Sequence, residues 1–168
     1  AALTALGKRG AMGAAPAVRA HWEHEASDEA RAAALTALAQ LDPAAARGLL
    51  PAALEIPSYQ DGISNAAAFA AVGLGDTTLV PAIARAAERT SGGVYALAAF
   101  GRNGSGAALD RLGELALSRR AGLRRRALEA FRFAVAPEQA RVRLTALLAA
   151  APEDAIRRDL AEALARLR

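Results

Sequence analysis

Cysteine is absent from the 168 residues, which excludes disulfides, thiolate nucleophiles and cysteine-held zinc. Aromatic residues make up only 4%, so few rings are available to stack on bases. Histidine is scarcer still. His21 and His24 are the two in the chain, both within "HWEHE", so any histidine-dependent chemistry has to be built there. No apolar run reaches the roughly 18 residues of a membrane span, and no basic-then-apolar leader follows Ala1. A soluble protein without a membrane partner is expected, and the compartment, cytoplasm or periplasm, is left open. Lys8 is the one lysine among 21 basic residues, so the high pI reflects an arginine-rich composition more than a phosphate-binding design.

Alanine dominates what is present, with 49 positions. It is the best helix former and is depleted in strands, so the chain is predicted to be all-α. Helical units recur along it. Leu6, Leu38, Ala71, Phe100, Phe131 and Leu164 form one column, 29 to 33 residues apart. Four positions earlier stand Ala2, Ala34, Ala67, Ala96, Ala127 and Leu160; eight earlier stand Ala30, Ile63, Gly92, Leu123 and Ile156. Steps of four and eight mark one face of a helix. The residue after each of the last five is Arg31, Ser64, Gly93, Arg124 or Arg157.

Each such helix, called A, runs into a turn: "LDP" at 41–43, "GLGD" at 73–76, "GRNGSG" at 101–106 and "VAPE" at 135–138. A second amphipathic helix, B, follows, with Leu50, Leu79, Leu112 and a Val142–Leu144–Leu147 series on its apolar face. Loops containing Ser58, Tyr59 and Asp61, then Ser91, then Ser118, return the chain to the next A helix. About five pairs plus a terminal A helix are expected, with units near 1–26, 27–60, 61–91, 92–120, 121–153 and 154–168. A hairpin of about thirty residues cannot bury its own apolar face, so copies stack into an α-solenoid. The alanine column lets neighbouring A helices approach closely.

"EARAAALTALAQLD", "GLRRRALEAFRFAV" and "AIRRDLAEALARL" resemble the A helix of HEAT-type repeats, and the resemblance covers nearly the whole chain as a single repeat domain. The run "LAQLDPAAARGLLPAALEIPSYQDGISNAAAFAAVGLGD" is similar to the HEAT-type tail at the C-terminus of some bacterial aminopeptidase-N-like zinc metallopeptidases. That resemblance implies a non-catalytic appendage of a longer protein. "GAM" at Gly10–Met12 matches the start of that family's Gly-Ala-Met-Glu-Asn substrate motif. Gly13 and Ala14 follow it here; the amine-binding glutamate is missing, and no catalytic residue of the family carries over.

Beside "GAM", the "HWEHE" stretch and the basic segment 119–143 bear on chemistry. His21, His24 and Glu25 fall at i, i+3 and i+4, a spacing that puts three possible metal ligands on one face. The simpler expectation is a polar helix end where histidine offsets the macrodipole and Trp22 packs on the next unit, with no metal or cofactor. Residues 119–143 hold eight Arg against Glu129 and Glu138, a local excess of +6, and Arg124, Arg125 and Arg126 are its candidate interaction surface. Such a segment allows nucleic-acid binding, although Arg125 and Glu129 are spaced to pair with each other. The B helices carry both signs, including Arg47, Glu55, Arg85, Glu88, Arg111 and Glu114, and the remaining carboxylates are expected on solvated faces. Mixed charge suits a protein or another domain of the parent chain better than a phosphate backbone.

Overall fold

A computed structural model describes residues 2–167, and among these every regular element is helical. The A helices are α1 (Ala2–Lys8), α3 (Asp28–Leu41), α5 (Gly62–Gly73), α7 (Ser91–Arg102), α9 (Ala121–Ala134) and α11 (Asp154–Ala165). The B helices are α2 (Ala15–His24), α4 (Pro43–Ala53), α6 (Val80–Ala87), α8 (Gly106–Ala116) and α10 (Pro137–Ala150). Short 3-10 turns at Met12–Ala14, Tyr59–Asp61 and Thr77–Leu79 precede α2, α5 and α6. The chain divides into two compact units at the Gly93–Val94 junction, inside α7.

Helix starts follow the side chains available. The Ser27 hydroxyl accepts from Ala30 N–H at 3.4 Å before α3, where Asp28 and Glu29 occupy the first turn and favour the positive end of the dipole. Asp42 accepts from Ala45 N–H at 3.0 Å, with Pro43 opening α4, and Ser105 accepts from Ala108 N–H at 3.3 Å before α8. The Thr90 hydroxyl, buried, accepts from Gly93 N–H at 3.0 Å at the start of α7.

The repeat column also sets where three A helices stop. The carbonyls of Leu6, Ala71 and Phe100 accept from the N–H groups of Ala11, Asp76 and Ser105, five residues on. That closing bond needs a left-handed residue just before the donor. Gly10, Gly75 and Gly104 supply it with φ of 64°, 64° and 93°.

In the first unit α1 and α2 pack on α3, α3 packs on α5, and α4 fills in against both α3 and α5. In the second, α9 packs on α8 and α11, and α10 on α8, α9 and α11. Ala34, Ala67, Ala96 and Ala127 are all 0% exposed, as is Leu160. One turn further on, Leu38, Ala71, Phe100 and Phe131 are buried as well. Val142 departs from the sequence pattern. It is exposed, and α10 buries Ala140 and Leu144 instead. Ser91 also departs: it is the first residue of α7 rather than part of a loop, because Thr90 starts the helix.

In α5, α9 and α11 the residue one after the aliphatic position reaches the end of the preceding B helix. Arg124 Nη1 donates to the Ser118 carbonyl at 2.8 Å, and Arg157 Nη1 to the Ala151 carbonyl at 2.7 Å, each six residues upstream. Ser64, fully buried, reaches the Leu54 carbonyl at 3.0 Å. These carbonyls end helices or follow them and have no further intrahelical donor. The column therefore holds a structural tie. Gly93 cannot make it, since a Cβ there would lie 2.6 Å from the Ala87 backbone.

Candidate functional site

"HWEHE" closes α2. Trp22 is buried, and the Arg31 guanidinium stacks over its ring at 4.7 Å from the centroid, a cation–π contact that joins α2 to α3. His21 Nε2 lies 3.1 Å from Glu25 Oε2, and His24 is exposed. Among the described residues no three His, Asp or Glu side chains are placed to hold a metal ion. The spacing puts His21, His24 and Glu25 near one another, but the chain leaves helical geometry at Glu25, and its carboxylate turns to the Ser27 N–H at 3.0 Å.

That amide bond is the main reason the Glu25 carboxyl is held below its ordinary value of 4.5, with His21 and the Ala26 N–H adding to it against a smaller opposing effect of burial. A lowered carboxyl contributes stability that is present above its unfolded value and lost as pH falls through the folded one. A carboxyl NMR titration is expected to place Glu25 below 4.5, and His21→Ala to move it only part of the way back, because the amide remains.

Met12 of the "GAM" stretch is exposed on its turn. Tyr59, also exposed, precedes Gln60 and Asp61, whose φ values of 51° and 54° are left-handed. Asp28 Oδ2 holds this turn by accepting from Tyr59 N–H at 2.9 Å.

The basic segment comes apart into residues with separate roles. Arg124 leaves the candidate surface: it is 5% exposed, and its Nε and Nη2 reach Asp159 Oδ2 at 2.7 and 2.6 Å. Asp159 is correspondingly not on a solvated face. Arg119 pairs with Glu153 at 2.7 Å, Arg143 with Asp110 at 2.9 Å, and Arg141 donates to the Leu167 carbonyl at 2.6 Å. Arg126 is half-buried, its Nε enclosed without a hydrogen-bond partner. Arg125 stays exposed and, despite the spacing, does not pair with Glu129. Both instead line an open hollow of about 430 Å³ between α9 and α11, with Arg132, Asp159, Glu162 and Arg166 around it and Leu128 and Ala163 as its apolar part.

The mixed charges of the B helices are likewise largely engaged. Arg85 meets Glu55 at 3.3 Å, Arg111 meets Glu114 at 2.6 Å, and Arg47 donates to the Leu74 carbonyl at 3.2 Å. The α9–α11 hollow is thus a part of the surface where exposed charge without a close partner is gathered around a concavity. Sequence reading found Arg125 but missed Glu129, Arg132, Glu162 and Arg166 as a group. The available signal was their place relative to the column residues Phe131 and Leu164.

The chain matches no protein-family model, no curated protein and no solved structure. Among the described residues, no helix is long and apolar enough to cross a membrane.

Proposed function

We propose that the chain is a non-catalytic, HEAT-type repeat scaffold whose helix pairs stack as an α-solenoid and whose role is to bind protein. We place it, on the sequence resemblance, as an appendage of a larger aminopeptidase-N-like zinc metallopeptidase. One observation carries the protein-binding reading. Arg119, Arg124, Arg141 and Arg143 are taken up by carboxylates or carbonyls, and Arg125 and Arg132 stand with Glu129 and Glu162 around the α9–α11 hollow. A phosphate backbone rewards an uninterrupted positive track, and binding to it weakens steeply with salt, by about 0.9 log units per log unit of salt for each phosphate neutralised.

A fluorescein-labelled 20-base-pair duplex titrated with the chain at several salt concentrations tests this. The expected result is weak binding with a slope corresponding to at most about two phosphates. A slope of four or more, abolished by Arg125→Glu with Arg132→Glu, would transfer the module to the nucleic-acid-binding class.

A further inference from the structure

Apart from Asp159, which Arg124 holds across from α9 to α11, the charges around the α9–α11 hollow are surplus to what holds the two helices together. In the first unit, α3 and α5 form the hollow in the same repeat register, about 200 Å³ in volume. Counted from the column residues, Thr36 and Ala39 of α3 stand where α9 has Glu129 and Arg132; Phe69 and Gly73 of α5 stand where α11 has Glu162 and Arg166. No charged residue lines that hollow. Two A helices pack without the charges, so another role has to explain them.

Their order is regular. Arg125, Glu129 and Arg132 follow one another on α9 at i, i+4 and i+7, and Arg158, Glu162 and Arg166 on α11 at i, i+4 and i+8. Each helix reads plus, minus, plus along one face, and the two glutamates occupy the same repeat position. All but Arg158, which is exposed one turn before Glu162, line the hollow, and Asp159, in its pair with Arg124, takes the place beside Arg125 on the α11 side. The α9 spacing would let neighbours close on each other, as Arg111 does with Glu114 and Arg157 with Asp154. Among the described residues, no hydrogen bond or ion pair engages Arg125, Glu129 or Arg132. Glu162 and Arg166 make only a 3.6 Å contact, both more than half exposed.

The complement of plus, minus, plus is minus, plus, minus. A second copy docked groove to groove about a centred two-fold offers the wrong series, carboxylate against carboxylate and guanidinium against guanidinium. A phosphate backbone or an acidic tail meets Glu129 and Glu162 in the middle. A helix lying along the groove presents side chains three and four residues apart on one face, which is the spacing of the rows. We propose that the α9–α11 groove docks an α-helix of a protein partner carrying an acidic, a basic and an acidic residue at i, i+4 and i+7 or i+8. The central cation lies between Glu129 and Glu162, one acidic end meets Arg132 and Arg166, and the other meets Arg125 alone, since Asp159, already paired with Arg124, lines the α11 side there. The proposal rests on the protein-binding reading above and specifies the partner's chemistry.

The test uses two labelled, end-capped alanine–glutamine helical peptides, one with Glu, Lys, Glu at i, i+4 and i+8 and the other with Lys, Glu, Lys. By fluorescence anisotropy at low salt, the first is expected to bind about tenfold more tightly, the combined effect of three exposed pairs. In the variant Arg125→Glu, Glu129→Arg, Arg132→Glu, Glu162→Arg, Arg166→Glu, with helicity checked by circular dichroism, the preference should reverse. Equal binding of both peptides, no binding of either, or a preference that survives the reversal overturns helix docking while leaving the duplex result, and with it the broader reading, unchanged. A sedimenting dimer of the native chain that the same variant dissolves would give the groove to a second copy instead.

Discussion

Arg124→Ala is expected to destabilise the second unit by about 3 kcal/mol, the lower end of what removing one partner of a buried pair costs. Arg124 is almost wholly enclosed, and its loss strands the Asp159 carboxylate and the Ser118 carbonyl together. The lower end applies because the Asp159 side chain keeps 18% exposure and water can partly replace the guanidinium. Urea unfolding followed by circular dichroism measures the loss. Replacing both charges, Arg124→Met with Asp159→Leu, should recover most of it, since no carboxylate is then left unpaired. A loss under about 1 kcal/mol would place the pair with ordinary surface ion pairs.

Gly93→Arg should destabilise by about 2–3 kcal/mol even though it restores the residue that the repeat has at Arg31, Arg124 and Arg157. Returning a position to its consensus ordinarily gains about 0.5–2 kcal/mol. Here a Cβ would lie 2.6 Å from both the Cα and the N of Ala87. Backbone cannot swing aside as a side-chain tip can, so α7 has to shift away from the end of α6, an overpacking cost. Gly113→Ala is the matched control: its Cβ would meet only Leu147 methyls at 3.6 and 3.7 Å. In the middle of α8, alanine should gain up to about 1 kcal/mol. Thermal melts of the two variants should move in opposite directions. A Gly93→Arg protein as stable as the parent would show that the close approach is not required.

The helices were legible because their determinants are local. Four- and eight-residue steps, a capping Ser or Asp and a glycine four residues after Leu6, Ala71 and Phe100 act within one or two turns of where they are read. Arg124 and Asp159 were not legible as a pair. They lie 35 residues apart on successive A helices, and an arginine beside Arg125 and Arg126 reads in one dimension as part of a basic patch. Its recurrence with Ser64 and Arg157 one place after a buried aliphatic residue was the sign of an interior role. The α9–α11 groove escaped for a related reason. Its rows appear only when two helices are placed side by side, so Glu129 was read as a partner for Arg125 within α9 rather than as a neighbour of Glu162.

The ties from Arg124, Arg157 and Ser64 bear on how the protein opens. In each, a side chain near the start of one A helix holds a carbonyl at or just beyond the end of the B helix before it. Local unfolding proceeds through segments whose contacts are lost together. Releasing α9 therefore releases the tail of α8, and releasing α11 releases the tail of α10, whereas among the described residues no side-chain bond of this kind straps the turn from an A helix to its own B partner. At these three joints the segments that open as one are out of phase with the repeat in the sequence, with their seams inside the A–B pairs instead of at the loops between them.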